Sequence, residues 1–314
     1  MAMGEMFGYA KWWFKSVLGS KAPLVNTLII HYGCNLRCRH CSIHGNIPSD
    51  IVSDATENAA KTKLTYDEIV EDLKHQFKRG ARIAYFEGGE TTMWTDGDKN
   101  LGDIIKAAKE TGYTNVGYTT NGTNGVFTES DVISVSLDGP REIHDFVRGE
   151  GVFDKLMKTI DEMEFTGSVY ANMVIQKDNI AHMEEVAKLV KENEKLTGII
   201  FNFITPPPYD LALNIDEKKD AVDRIRKLKK EGYPILNSKK GLELLVEEDW
   251  GKKCPHNVTV FIIPDGSHHN GCPMQGTRSC EQCGFAAVRE YHLIKKGSFS
   301  TIREMSSVFA MSKK

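Results

Sequence analysis

The sequence predicts an α/β fold built on a parallel sheet of six strands, and three observations predict it. Between residues 24 and 204, apolar runs of strand length alternate with segments of helical periodicity. Such alternation requires right-handed crossovers within one parallel sheet. Residues suited to chemistry fall directly after the strand-like runs, where sheets of this kind bind their ligands. The 314 residues, with 40 Lys plus Arg, 43 Asp plus Glu and 40% apolar side chains, suffice for one large domain or two small ones.

At the start, Met6, Phe7, Ala10, Trp13, Phe14, Val17 and Leu18 recur at helical spacing, so residues 1–23 read as an amphipathic helix that Pro23 ends. A buried strand over 24–31 follows. Then come a helix over 65–79, a strand over 82–86, a helix over 101–111 and a strand over 115–119. The same rhythm continues with strands over 132–137, 168–175 and 198–204 and helices over 153–163 and 181–193, until Pro206, Pro207 and Pro208 interrupt it. A charged helix over 216–231 presents a solvated face, and 258–263 with Pro264, Asp265 and Gly266 reads as a β-hairpin. The expected division is 1–23, a barrel-forming unit 24–210, a helical region 211–250 and a cysteine-rich extension 251–314.

A formal net charge of -3 offers no polycation for nucleic acid. No apolar run approaches the roughly 20 residues of a spanning helix, and no secretory signal opens the chain, so a cytoplasmic location is expected. An odd count of seven cysteines argues against a framework of disulfides and for metal. Cys34, Cys38 and Cys41 follow the first strand; Cys254, Cys272, Cys280 and Cys283 lie near the end.

Three thiolates can hold an iron-sulfur cubane with one iron left open for a substrate or cofactor. A zinc site completed by His31, His40 or His44 is the alternative. The run Cys34-Asn35-Leu36-Arg37-Cys38-Arg39-His40-Cys41 resembles the signature of the radical S-adenosylmethionine superfamily. Further along, Glu87-Gly88-Gly89-Glu90 resembles that family's Gly-Gly-Glu element. Thr120-Asn121-Gly122, Ser136-Leu137-Asp138-Gly139-Pro140, His144 to Gly149 and the strand with Asn172 resemble later family segments.

The resemblance implies a partial, open barrel of six β/α units. It implies a site-differentiated 4Fe-4S cluster on Cys34, Cys38 and Cys41, on which S-adenosylmethionine is reductively cleaved to a 5′-deoxyadenosyl radical. Gly88 and Gly89 would offer backbone to the methionine amino group with Glu90 in support. Asn121, Ser136 and Asp138 would line the cofactor side, and Arg148 and Asn172 would contact the nucleoside or its carboxylate. A flavodoxin or ferredoxin would supply the electron.

The four later cysteines can fully ligate a zinc ion or a second cubane, and they resemble the auxiliary-cluster extensions of this superfamily (twitch or SPASM type) in kind, though not in spacing. His268 or His269 could replace one of them. Substrate is argued from the N-terminal helix. Tyr9, Trp12, Trp13 and Phe14 beside Lys11, Lys15 and Lys21 look like an interfacial helix, and Trp12 lies off the apolar stripe. With the basic tail of Lys295, Lys296, Arg303, Lys313 and Lys314, this predicts peripheral contact with the inner membrane face. The alternative is a helix packed across the barrel floor. The final Cys280-Glu281-Gln282-Cys283-Gly284 segment loosely resembles lipid-modifying members, so the first expectation is C–C bond formation on a lipid or isoprenoid. A second reading is a peptide- or protein-modifying enzyme, and a third a zinc-stabilised binding protein. Tyr118, Tyr170, His144 or a cysteine could return a hydrogen atom.

Overall fold

The computed structural model describes residues 12–14, 16, 20–41, 43, 62–206 and 208–310, with side chains to residue 305. Expectations that rest on Met6, Phe7, Tyr9, Ala10, Lys11, Lys15, Val17, Leu18, His44, Pro207, Lys313 and Lys314 lie outside these.

The strand-helix units begin with β1 (Val25–Ile29), α1 (Tyr66–Arg79), β2 (Ile83–Glu87), a small hairpin of β3 (Thr95–Asp96) and β4 (Lys99–Asn100), and α2 (Leu101–Thr111). They continue as β5 (Asn115–Thr120), β6 (Val132–Ser136), α3 (Arg141–Arg148), α4 (Val152–Glu162), β7 (Ser168–Ile175), α5 (Met183–Glu192) and β8 (Gly198–Phe203). Then follow α6 (Ile215–Lys230), α7 (Lys239–Leu244), β9 (Thr259–Ile262), β10 (His268–Asn270), α8 (Ala286–Lys295) and α9 (Phe299–Ala310). Local chemistry sets many of the ends. Thr65 and Glu68 form a capping box at α1, as Asn100 with Asp103 does at α2 and Asn214 with Glu217 at α6.

The six expected strands are parallel neighbours in the order β1-β2-β5-β6-β7-β8. The sheet is an open barrel, and its outer face supplies the main core: Leu28, Phe86, Tyr118, Val135, Met173 and Phe201 meet Leu73, Ile105, Leu156 and Val190 from the helices. Burying such apolar area is the main driving force for folding.

The cysteine-rich extension joins this sheet. β9 pairs parallel with β1, and β10 pairs antiparallel with β9, so the sheet has eight strands. The chain then crosses to the far edge, where the Phe203 N–H donates to the Gly284 carbonyl at 3.0 Å and the Ala286 N–H to Asn202 Oδ1 at 2.7 Å. A Cβ at Gly284 would run into the Phe203 carbonyl, so only glycine permits this approach. The extension thus spans the barrel's open side, touching both edges.

Trp12 corrects one expectation. It is buried with Leu24, Val25, Ile83 and Val258 at the amino ends of the strands, and its Nε1 donates to the Ala22 carbonyl at 2.9 Å. Trp13 packs beside it and donates to the Ile294 carbonyl at 3.0 Å. Both indoles serve the barrel floor, which satisfies the ring and the N–H together; Phe14, 62% exposed, points away. No helix among the described residues is long and apolar enough to cross a membrane.

Candidate active site

Three anchors hold the loop after β1 over the carboxyl ends of the strands. Asn35 accepts from Asn121 Nδ2 at 3.0 Å and donates to Thr123 Oγ1 at 2.7 Å, the Arg39 N–H donates to the Val147 carbonyl at 2.9 Å, and Arg39 Nε meets Asp178 at 3.1 Å. Between these anchors stand Cys34, Cys38 and Cys41. Backbone N–H groups of Leu36 and Ile43 donate to Cys34 Sγ and Cys41 Sγ at 3.4 Å, and Arg148 Nη1 lies 3.9 Å from Cys38 Sγ. Burial, chiefly, pushes the Cys34 thiol up and that of Cys38 to about 11, against the pull of Arg148 on Cys38. The three thiols feel one another's charge, and the N–H groups and guanidinium turned toward their sulfurs favour the thiolate form that ligates iron.

Gly88 and Gly89 close β2 against this loop. The Gly89 N–H donates to the His31 carbonyl and the Glu90 N–H to the Gly33 carbonyl, both at 2.8 Å, and a Cβ at either glycine would strike the backbone of residues 31–33. Gly89→Ala should therefore cost about 3 kcal/mol and loosen the loop; chemical denaturation and bound iron per chain check this. Glu90 is buried, and its carboxylate accepts from the Thr92 N–H and hydroxyl, from Thr120 Oγ1 at 2.6 Å and from the Asn121 N–H at 2.7 Å. With four protein donors, Glu90 acts on the site by fixing Asn121 rather than by reaching a ligand itself. Asn121 in turn accepts from the Thr123 N–H and hydroxyl.

Asp138 and Arg148 form a buried couple beneath Cys38. Arg148 Nε donates to Asp138 Oδ2 at 2.6 Å, and the Val174 N–H donates to Oδ1 at 2.9 Å. Burial raises the Asp138 carboxyl, but Arg148, the neighbouring histidines and the Val174 N–H together hold it below its ordinary value. Burial likewise pulls His144 down to about 4, and its Nδ1 accepts the Asp138 N–H at 3.2 Å, which leaves the ring proton on Nε2. Of the other histidines weighed as zinc ligands, His31 turns Nε2 to the Glu90 carbonyl at 2.8 Å and His40 faces Asp138 at 3.8 Å.

Inside the barrel, register brings alternate residues to one face. Thr119 aligns with Ser134, Ser134 with Tyr170, and Ser136 with Asn172. Tyr85 Oη meets Thr119 Oγ1 at 3.0 Å and, across the lumen, Tyr170 Oη at 3.1 Å, while Asn202 Nδ2 donates to Asn172 Oδ1 at 2.9 Å. The lumen is thus lined mainly by hydroxyls, amides and, at the end of β2, the Glu87 carboxylate. Tyr118 lies on the opposite, helix-packed face with its hydroxyl 3.3 Å from the Phe127 carbonyl, so it does not reach the lumen.

The four later cysteines also converge. Cys254, Cys272, Cys280 and Cys283 line one small hollow, open to solvent, with Thr205, Trp250, His256, Met274 and Phe285 around them. Arg289 is buried over the Trp250 ring, with Nη1 3.3 Å from Cys283 Sγ and Nη2 donating to the Cys283 carbonyl at 2.7 Å. Each cysteine set therefore has one buried guanidinium at one sulfur, and the four cysteines expected to form an auxiliary site share one hollow. Mainly burial, with the other thiols, pushes Cys254 to about 12 and Cys272 to about 11, values that a cationic centre would reverse. His268 and His269 stand elsewhere, against Asp72 at 2.7 Å and Ser267 at 3.2 Å. The imidazole that does line the hollow, His256, carried no signal beyond its place two residues after Cys254.

Comparison with known proteins follows the same outline. The pyruvate formate-lyase-activating enzyme of Clostridium pasteurianum is 25% identical over 232 residues, 67% of this chain and 90% of its own. Mycofactocin maturase MftC of Mycobacterium tuberculosis is 28% identical over 182 residues, 54% of this chain and 42% of its own. An uncharacterized protein of Archaeoglobus fulgidus is 27% identical over 160 residues, 48% of this chain and 34% of its own. The chain spans under half the length of these last two relatives. Among solved structures, native anSMEcpe with bound AdoMet and Kp18Cys peptide superposes with a TM-score of 0.61 at 17% identity, covering 91% of this chain and 84% of that one. Streptococcus suis SuiB bound to precursor peptide SuiA gives 0.62 at 12%, covering 88% and 65%. Both are likenesses of fold. The sequence model of the Radical SAM superfamily matches residues 28–190, from within β1 into α5. With more than half of the chain so matched, this protein belongs to the radical SAM superfamily and is an S-adenosylmethionine-dependent iron-sulfur enzyme.

Proposed function

We propose that this enzyme modifies a peptide or protein substrate within the barrel lumen. The observation that carries the reading is the lumen's polar lining, Tyr85, Thr119, Ser136, Tyr170, Asn172 and Asn202. These hydroxyls and amides already pair with one another in part, but each keeps hydrogen-bonding capacity that a hydrocarbon chain cannot use and that a peptide, with its own donors and acceptors, can. The expectation of a lipid or isoprenoid substrate rested on the N-terminal indoles, the basic tail and the segment from Cys280 to Gly284; Trp12 and Trp13 are held in the barrel floor, and the comparisons lend the lipid no support. Relatives named for activating pyruvate formate-lyase and for maturing mycofactocin favour the peptide reading.

In this reading Cys34, Cys38 and Cys41 hold the site-differentiated 4Fe-4S cluster, and Ser136, Arg148 and Asn172 lie on the cofactor and substrate side. When bound, cluster and S-adenosylmethionine supply one-electron chemistry capable of taking hydrogen from unactivated carbon. The chain's own part is to seat the substrate and exclude water. Cys254, Cys272, Cys280 and Cys283 hold an auxiliary 4Fe-4S cluster, for electron transfer or support of the fold, and a flavodoxin or ferredoxin serves as reductant.

The test is anaerobic reconstitution followed by assay of 5′-deoxyadenosine formation with peptide and lipid extracts offered separately. About eight irons per chain and stimulation by the peptide fraction are expected. Stimulation by lipid alone would overturn the substrate reading, and four irons with one zinc would make the C-terminal centre structural.

A further inference from the structure

Glu87 closes β2 on the lumen face, two residues after Tyr85, whose hydroxyl spans the barrel to Tyr170. The buried carboxylates around it are all matched. Glu90 has four protein donors, Asp138 has Arg148, and Asp72 has Asn26, Gln76 and His268. Glu87 has no hydrogen-bond or ion-pair partner among the described residues. The titratable groups that feel its charge are Tyr85, Tyr170, Tyr291 from α8 and Cys272, none of them a cation. Burial pushes its carboxyl up to about 7. The side chain is only partly buried, so water solvates the carboxylate in the empty enzyme, and a cationic ligand group entering the lumen displaces that water and supplies the one charge the protein does not.

We propose that Glu87 is a specificity-determining residue that pairs with a lysine or arginine side chain of the peptide substrate, between the two cysteine sites. The proposal rests on the peptide reading above and names the feature of the peptide that is recognised. A charge-assisted hydrogen bond is strong and directional, so one basic side chain would set the register of the peptide beneath the cofactor.

The experiment is affinity selection of a random heptapeptide library by reconstituted enzyme with S-adenosylmethionine, using wild type, Glu87→Gln and Glu87→Lys, with iron content confirming that each has folded. Wild type should enrich Lys or Arg at one position about tenfold or more. Glu87→Gln should lose that enrichment, and Glu87→Lys should turn it toward Asp or Glu. Peptides enriched without basic bias, or a basic bias unchanged in Glu87→Gln, would overturn the role of Glu87 while leaving the peptide reading standing. No peptide enriched by wild type would overturn both.

Discussion

Replacing Cys34, Cys38 or Cys41 by alanine should abolish formation of 5′-deoxyadenosine from S-adenosylmethionine under reduction and remove about four irons per chain. The expectation is total loss because each sulfur has its own place in the loop. Cys34 and Cys41 each accept a backbone N–H, and Cys38 sits against Arg148. Among the described histidines nearby, His31 is committed to the Glu90 carbonyl, so it is not poised to replace a missing thiolate. The assay is anaerobic, with product measured chromatographically and iron measured on the same sample. A triple alanine variant that still forms 5′-deoxyadenosine would refute the assignment. The irons of the second site should survive these substitutions, because its four cysteines are supplied by a different part of the chain.

Asp138→Asn should be the most damaging single change to stability outside the cysteines, at about 3–5 kcal/mol. It strips the counter-charge from Arg148, which is buried and bonded to Asp138 at 2.6 Å. The neighbouring His144 cannot compensate, being neutral at pH 7 and in any case of the wrong sign. Denaturant titration of the two proteins side by side measures the difference. The pH dependence has a definite sign. The folded carboxyl lies below its ordinary value, so its contribution is complete above the unfolded value near 4 and is lost as pH falls through the lower folded value. His144, held down to about 4 against about 6.5 unfolded, adds a loss that begins earlier, as pH falls from about 6.5 to about 4. Wild type should therefore lose stability in two stages on acidification, and Asp138→Asn should lack the lower one.

The elements were legible because their causes are local. Helix α2 falls on the predicted residues, 101–111, because Asn100 caps it and Gly112 ends it. Strand β7 does so at 168–175, where Val169, Ala171, Met173 and Ile175 alternate toward the core. Helix α3 was missed as an element, since Arg141-Glu-Ile-His-Asp-Phe-Val-Arg148 is short and its apolar positions are few. The cysteine spacings announced both sites. Glu87 and Arg289 were not recognised: one reads as the residue before a Gly-Gly pair, the other as a charge on a helix.

By itself, then, the sequence determined the alternation that makes a parallel sheet, the loop after β1 that carries three thiols, and the family to which these belong. Each depends on residues a few positions apart, whose propensities and spacing act before any long-range contact forms. Tertiary structure decided the rest. It placed β9 beside β1, more than two hundred residues away in sequence, and brought Gly284 against Phe203 so that the extension spans the barrel's open side. It turned Trp12 into the floor rather than toward a membrane, set Arg289 against Cys283, and collected Tyr85, Glu87, Tyr170 and Asn172 into one polar lumen. Alternation along each strand shows which residues share a face, but which residues of distant strands meet across the lumen is set by register alone.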